Sequence, residues 1–321
     1  MSASESTVPR LGYGAANLGN LFRALSDDEA WAILEAAWAS GIRHYDTAPH
    51  YGLGLSERRL GAFLQTKPRE EYFLSTKVGR LLRPNPQHEP GGLDTANDFH
   101  VADDLHRVCD FSAEGVRASL DESRERLGIE RIDLLYLHDP ERHDLDLALA
   151  EALPALEQLR ADGEVTRIGV GSMVSEALAA SVREADLDLI MVAGRYTLLE
   201  QPAAEAVLPA CRENGTGIVA ASVFNSGLLA QHEPRRDGRY EYGQLPDELW
   251  DRLVRIHAVC ADHGVPLPAA ALQFPLQSDL VRAVVVGGSR PAQLAQNVEL
   301  AALPIPASLW QTLAAEGLIP A

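Results

Sequence analysis

Apolar residues recur along this chain in short dense runs, separated by longer stretches with helical spacing. The run Ile132-Asp133-Leu134-Leu135-Tyr136-Leu137-His138 is nearly continuous, as expected of a parallel strand covered on both faces. Comparable runs occupy 10–15, 42–47, 72–77, 165–171, 187–193, 217–221 and 281–286. Between them the apolar positions fall three and four apart, with explicit start and stop signals. Ser26-Asp27-Asp28-Glu29 is a capping box. It opens a helix through Trp31, Leu34, Ala37 and Trp38 that Gly41 closes. Helices are likewise predicted over 56–64, 112–127, 145–162, 175–184, 203–213, 246–263 and 291–301, with 306–317 as an appended last helix.

Strand followed by helix, about eight times in 321 residues, predicts an α/β fold, a single (β/α)8 TIM barrel with long loops at its C-terminal face and an appended C-terminal helix. The doubly wound alternative lacks its dinucleotide fingerprint, because Gly12-Tyr13-Gly14 is followed by Ala15-Ala16-Asn17. The barrel domain is expected over 9–321, after a flexible N-terminus at 1–8. Two stretches, 79–111 and 231–244, show no periodicity. Loops that long in a compact domain act as lids or binding loops.

The chain is 46% hydrophobic without any long apolar run, which fits a soluble globular protein with an ample core. A net charge of −18 argues against nucleic acid or an anionic membrane as partner. Met1 to Thr7 is small and polar, with no apolar region of a signal peptide. Cys109, Cys211 and Cys260 are far apart and odd in number, as expected of free thiols in the cytoplasm. The expected partner is a small molecule, and the expected assembly a monomer or homodimer.

In a TIM barrel the reactive groups sit at the C-terminal ends of the strands. Asp46 ends the second, with Tyr51 five residues on; Lys77 ends the third and His138-Asp139 the fourth. Gly171-Ser172, Arg195-Tyr196, Ser222 to Asn225 and Gly287-Gly288-Ser289 end or follow the remaining ones. Of 28 basic residues only Lys67 and Lys77 are lysines. Lys77 therefore stands where the chain elsewhere uses Arg, and only Lys has a proton that can move. Phenol, ammonium, carboxylate and imidazole together make a proton-transfer site. Lys77 would lower the Tyr51 pKa from roughly 10. Asp46 would hold Lys77 charged, and His138 would bind the substrate oxygen. The same residues also read as a structural ion pair and a core histidine. His138-Asp139 with His143 lacks further clustered ligands, so no metal is expected. A glycosidase needs two facing carboxylates, and Phe224-Asn225 offers none. Asp94, Asp98, His100, Asp103, Asp104 and His106 read as a solvated acidic loop, with contact to a polyhydroxylated ligand as the second reading.

Four segments occur in the order of a known family: Asp46-Thr47-Ala48-Pro49-His50-Tyr51-Gly52, Ser75-Thr76-Lys77, Leu135-Tyr136-Leu137-His138 and Ile168-Gly169-Val170-Gly171. The chain resembles the aldo-keto reductases over nearly its whole length. The resemblance implies a catalytic tetrad of Asp46, Tyr51, Lys77 and His138, and an NAD(P) cofactor extended across the barrel mouth. Leu18-Gly19-Asn20-Leu21, Ala193 to Leu199 and Phe224 to Leu229 are similar to the sugar dehydrogenase branch, which includes dehydrogenases of L-fucose, D-threo-aldoses and L-galactose. Oxidation of an aldose at C1 to the lactone is the implied activity. Alternatives are a pyridoxal 4-dehydrogenase or aldehyde or ketone reductase with the same tetrad, and a cofactor-binding regulatory subunit.

Cofactor contacts are expected at Gly14, Ala15, Asp46, Ser226, Leu228, Gly287, Ser289, Gln293 and Asn297, with Ser172, Ser222 and Phe224 as substitutes where the family's nicotinamide contacts do not carry over. There are departures. The family's Ser-Asn pair is Gly171-Ser172 here, its Gln aligns with Ala193, and the ring that stacks on nicotinamide aligns with Ala221. Its two cations for a 2′-phosphate align with Gly287 and Gln293. Losing both removes charge-assisted bonds to a dianion and favours NAD over NADP, with Arg290 close enough to serve a 2′-phosphate instead.

Overall fold

The computed structural model describes residues 8–241 and 243–320. The expected flexible N-terminus falls almost wholly outside them, as does Tyr242 in the second long loop. Eight strands form the frame: β1 (Leu11–Gly14), β2 (His44–Asp46), β3 (Phe73–Val78), β4 (Leu134–His138), β5 (Ile168–Ser172), β6 (Leu189–Ala193), β7 (Gly217–Ala221) and β8 (Val281–Gly287). They close into one parallel barrel in chain order, β8 pairing with β1. Each of the eight lies within one of the predicted apolar runs or one residue beyond it.

Branched and aromatic side chains at alternate positions explain the closure. Phe73, Leu134, Tyr136, Leu189, Met191, Val219, Ala283 and Val285 point inward and fill the lumen, so the barrel is a packed core rather than a pore. The other face of each strand meets the helices in a second, larger apolar layer. The capping box forms as predicted. Ser26 Oγ accepts from the Glu29 amide at 3.2 Å, and the Ser26 amide donates to Glu29 Oε2 at 2.8 Å.

Some elements differ from the sequence reading. The predicted helix over 145–162 contains a π-helical turn at Ala148–Ala152, which ends two residues before Pro154. Proline has no amide for the normal helical bond and crowds the preceding turn, and the wider turn accommodates it. Leu267–Gln273 is a helix that the sequence reading lacks, because Pro266, Pro268 and Pro275 look like breakers; prolines at a helix start are compatible with it. The stretch 79–111 is not irregular throughout. Arg80–Pro84 and Leu105–Cys109 form an antiparallel hairpin at the barrel mouth. A two-residue ladder, Arg239–Tyr240 with Gly243–Gln244, orders part of the second loop. The final helix is Ala307–Ala315.

Candidate active site

The register of the strands decides which ends meet. Gly14 pairs with Asp46, Asp46 with Ser75, Lys77 with Tyr136, and His138 with Gly171. Asp46, Lys77 and His138 therefore stand on adjacent strands at one end of the barrel, as the sequence reading required.

Lys77 Nζ donates to Asp46 Oδ2 at 2.6 Å and to the Thr47 carbonyl at 2.9 Å. Ser75 Oγ donates to Asp46 Oδ1 at 2.8 Å. Both charged side chains are nearly sealed, at 2% and 4% exposure, so little solvent weakens their attraction. Burial disfavours the ammonium, but Asp46 and Tyr51 outweigh it, and the Lys77 pKa lies above its ordinary value. Ser75 and the Thr47 carbonyl, which the sequence analysis quotes within its segments without a role, are thus neighbours of the pair.

Tyr51 lies on the loop after β2. That loop is pressed against the β1 loop so tightly that neither Gly19 nor Gly52 could carry a side chain. A Cβ on Gly19 would sit 2.5 Å from the Tyr51 carbonyl carbon, and one on Gly52 2.2 Å from the Gly19 oxygen. Gly52 also has a φ of +62°, which favours glycine. Ser56 Oγ bridges the two loops, within 2.9 Å of Thr47 Oγ1 and donating to the Ala15 carbonyl at 2.7 Å. The Lys77 ammonium lies 4.8 Å from the centre of the Tyr51 ring. One expectation is corrected. Lys77 does pull the phenol's pKa down, by charge and by hydrogen bonding, but burial acts more strongly and the net shift is upward.

The His138 ring stands edge-on to Tyr51, with centroids 5.9 Å apart. Its Nδ1 is buried without a partner, whereas Nε2 is not sealed and lies 3.7 Å from Asp139 Oδ2. Burial, then the charges of Arg80 and Lys77, depress its pKa well below the usual histidine range, so the imidazole is neutral. His50, which the sequence reading passed over, adds a second depressed imidazole 5.6 Å from His138.

The acidic loop is not simply solvated. Asp94 is buried and clamps Arg107 through bonds of 3.0 and 2.6 Å. Arg107 also donates to the His50 carbonyl at 2.8 Å, which ties the 79–111 insertion to the Tyr51 loop. Arg80, from the same insertion, reaches Asp139 at 2.8 Å.

The residues expected at the cofactor are spread along the mouth. Ser222 and Ser226 are exposed on the β7 loop, both with left-handed backbone. Phe224 is half-buried and Leu228 buried. Gly14 is half-buried and Ala15 sealed. Gly287 is exposed at the end of β8, and the Ser289 amide donates to Gln293 Oε1 at 2.9 Å. Asn297 is buried. Ser172 is buried too; its hydroxyl donates to Glu141 Oε1 at 2.8 Å and accepts from the Val174 amide. Glu141 is thus a neighbour of this site, and burial raises its pKa. Among the described residues no group of three or more potential ligands could hold a metal ion.

The Aldo/keto reductase family model matches residues 10–315. This chain is an aldo-keto reductase. It is 77% identical over 319 residues to a D-threo-aldose 1-dehydrogenase of a Pseudomonas species, covering 99% of this chain and 97% of that protein. It is 41% identical to a pyridoxal 4-dehydrogenase of Microbacterium luteolum, with 98% and 95% covered. An L-galactose dehydrogenase of Arabidopsis thaliana is 31% identical, with 91% and 83% covered. An aldo-keto reductase of Bacillus halodurans superposes with a TM-score of 0.75 at 25% identity, covering 97% of this chain and 92% of that one. The reductase is accordingly an oxidoreductase that uses a nicotinamide cofactor. No helix among the described residues is long and apolar enough to cross a membrane.

Proposed function

We propose that this aldo-keto reductase oxidises an aldose at C1 to the lactone, with NAD+ preferred over NADP+. The observation that carries the reading is the sealed Lys77–Asp46 pair beneath the Tyr51 phenol, in a chain so similar to a D-threo-aldose 1-dehydrogenase.

The mouth suits a dinucleotide. The helix Pro291–Ala302 begins without a side-chain cap and without an acid in its first turn. Its positive dipole end adjoins the bare backbone of Gly287, which together suit a phosphate group. Ser222, Ser226, Ser289 and Asn297 would hold polar parts of the cofactor, and Phe224 and Leu228 apolar ones. Neither Gly287 nor Gln293 supplies a cation for a 2′-phosphate. Arg290 is exposed, and Arg23 donates to the Ser289 carbonyl at 3.1 Å while paired with Glu29. A nicotinamide cofactor held there would supply the acceptor for the hydride of C1.

The chain's own residues handle the proton. Tyr51, as phenolate, takes the C1 hydroxyl proton. Lys77 favours that anion, and Asp46, itself fixed by Ser75, keeps the ammonium in place. His138, neutral, donates from Nε2 to the same substrate oxygen and sets its direction. Initial rates with NAD+ and L-fucose, D-arabinose, L-galactose and pyridoxal test the reading. Reduction with an aldose and recovery of its lactone is the expected result; reduction with pyridoxal alone would refute it.

A further inference from the structure

One carboxylate at the mouth has no part in that proton transfer. We propose that Asp139 determines substrate specificity: its carboxylate accepts a hydrogen bond from the hydroxyl on the carbon next to the one oxidised, and Arg80 orients it. The proposal rests on the aldose reading above and says which part of the sugar the site recognises.

Position is the first argument. Asp139 follows His138 at the end of β4, and Oδ2 lies 3.7 Å from His138 Nε2. A substrate oxygen bound to that nitrogen leaves its vicinal hydroxyl beside the carboxylate, because neighbouring sugar hydroxyls have comparable spacing. Access is the second. The Asp139 side chain is 16% exposed, against 4% for Asp46, so of these two carboxylates at the mouth it is the one that reaches open space. Oδ2 accepts from Arg80 at 2.8 Å and lies 3.6 Å from Arg142 Nε. Oδ1 makes no hydrogen bond among the described residues and is not sealed off. An ionised carboxylate has about four acceptor positions, so capacity remains for a hydroxyl.

The backbone is the third argument. Asp139 has φ +43° and ψ +60°, an uncommon conformation for a side-chain-bearing residue and one that concentrates at ligand sites. Its amide is fixed by the Gly171 carbonyl at 2.9 Å. Arg80 is delivered equally deliberately. It begins the inserted hairpin, is 8% exposed, and follows Gly79, whose φ of +98° and contact with Phe111 exclude a side chain. A carboxylate held this way keeps one oxygen on Arg80 and turns the other toward the space a substrate would fill, where a bound sugar shuts water out. A sugar lacking the matching hydroxyl leaves it unsatisfied, which is the strong form of discrimination.

The test crosses substrate and residue. kcat/KM is measured with NAD+ for D-arabinose and for 2-deoxy-D-ribose, which is D-arabinose without its C2 hydroxyl. The wild-type enzyme is expected to prefer D-arabinose by roughly 30-fold, the scale of one hydrogen bond to a charged group. In Asp139→Asn the D-arabinose value falls by about tenfold or more while the 2-deoxy value changes less than about threefold, so the preference collapses. The double variant Arg80→Gln/Asp139→Asn leaves no unpaired buried charge and is expected to show the same collapse. Equal losses with both sugars would make Asp139 merely structural and overturn the proposal alone. Failure of the wild-type enzyme to reduce NAD+ with any aldose would overturn the underlying reading, and this inference with it.

Discussion

Replacing Lys77 by Met separates what the buried ion pair does for folding from what it does for turnover. Met fills a similar volume but leaves Asp46, 4% exposed, as an unpaired buried carboxylate, and the Thr47 carbonyl without its 2.9 Å donor. Removing one partner of such a pair costs about 3–5 kcal/mol. For a chain of this size that lowers Tm by roughly 4–8 °C. The Lys77 pKa is raised in the folded protein, so this contribution is complete below the unfolded lysine value and is lost only as pH rises through the folded one. The Tm difference should therefore be constant between pH 6 and 9. Turnover should fall by about 10²–10⁴-fold, because the phenol loses the ammonium that opposes the upward push of burial. The double variant Asp46→Asn/Lys77→Met removes the stranded charge and should recover most of the stability and none of the activity. Thermal melts read alongside initial rates of NAD+ reduction decide the matter. Unchanged turnover in Lys77→Met, or full activity in the double variant, would refute the reasoning.

Tyr51→Phe should abolish turnover, by at least about 10³-fold, while dinucleotide affinity measured by fluorescence titration stays within about twofold. Burial raises the Tyr51 pKa and oxidation needs the phenolate, so kcat/KM for the aldose should climb with pH into the alkaline range; a profile falling above neutrality would contradict the assignment of the base. Arg107→Ala removes both the Asp94 clamp and the support of the His50 carbonyl, and should raise KM for the sugar and speed proteolytic cutting within 79–111 without changing NAD+ affinity. NAD+ should be bound at least about tenfold more tightly than NADP+, since two cations that would grip a 2′-phosphate are missing; in Arg290→Ala any residual NADP+ binding should weaken further.

The barrel was legible because its strands are covered on both faces and stand out as apolar runs. That Asp46, Lys77 and His138 meet was legible for a related reason: they are ionisable residues at or beside the ends of three such runs. The helix Leu267–Gln273 was hidden by its prolines, and the 79–111 hairpin by a sequence whose apolar positions, such as Leu81, Leu82 and Val108, are interleaved with Arg and Pro. Long-range partners were invisible in principle. Nothing near Asp94 or Asp139 in the chain announces Arg107 or Arg80, because the fold alone brings them together. The direction of the Tyr51 shift failed for the same reason. Charge on Lys77 can be read from a sequence, whereas the depth at which the phenol is buried cannot.

The most direct measurement uses an aldose carrying deuterium at C1, incubated with the enzyme and NAD+. Mass analysis of the reduced cofactor should find the deuterium there, together with the unlabelled lactone. Reduced cofactor without the label would mean that hydride leaves another carbon, and the assignment of C1 oxidation to this site would be wrong.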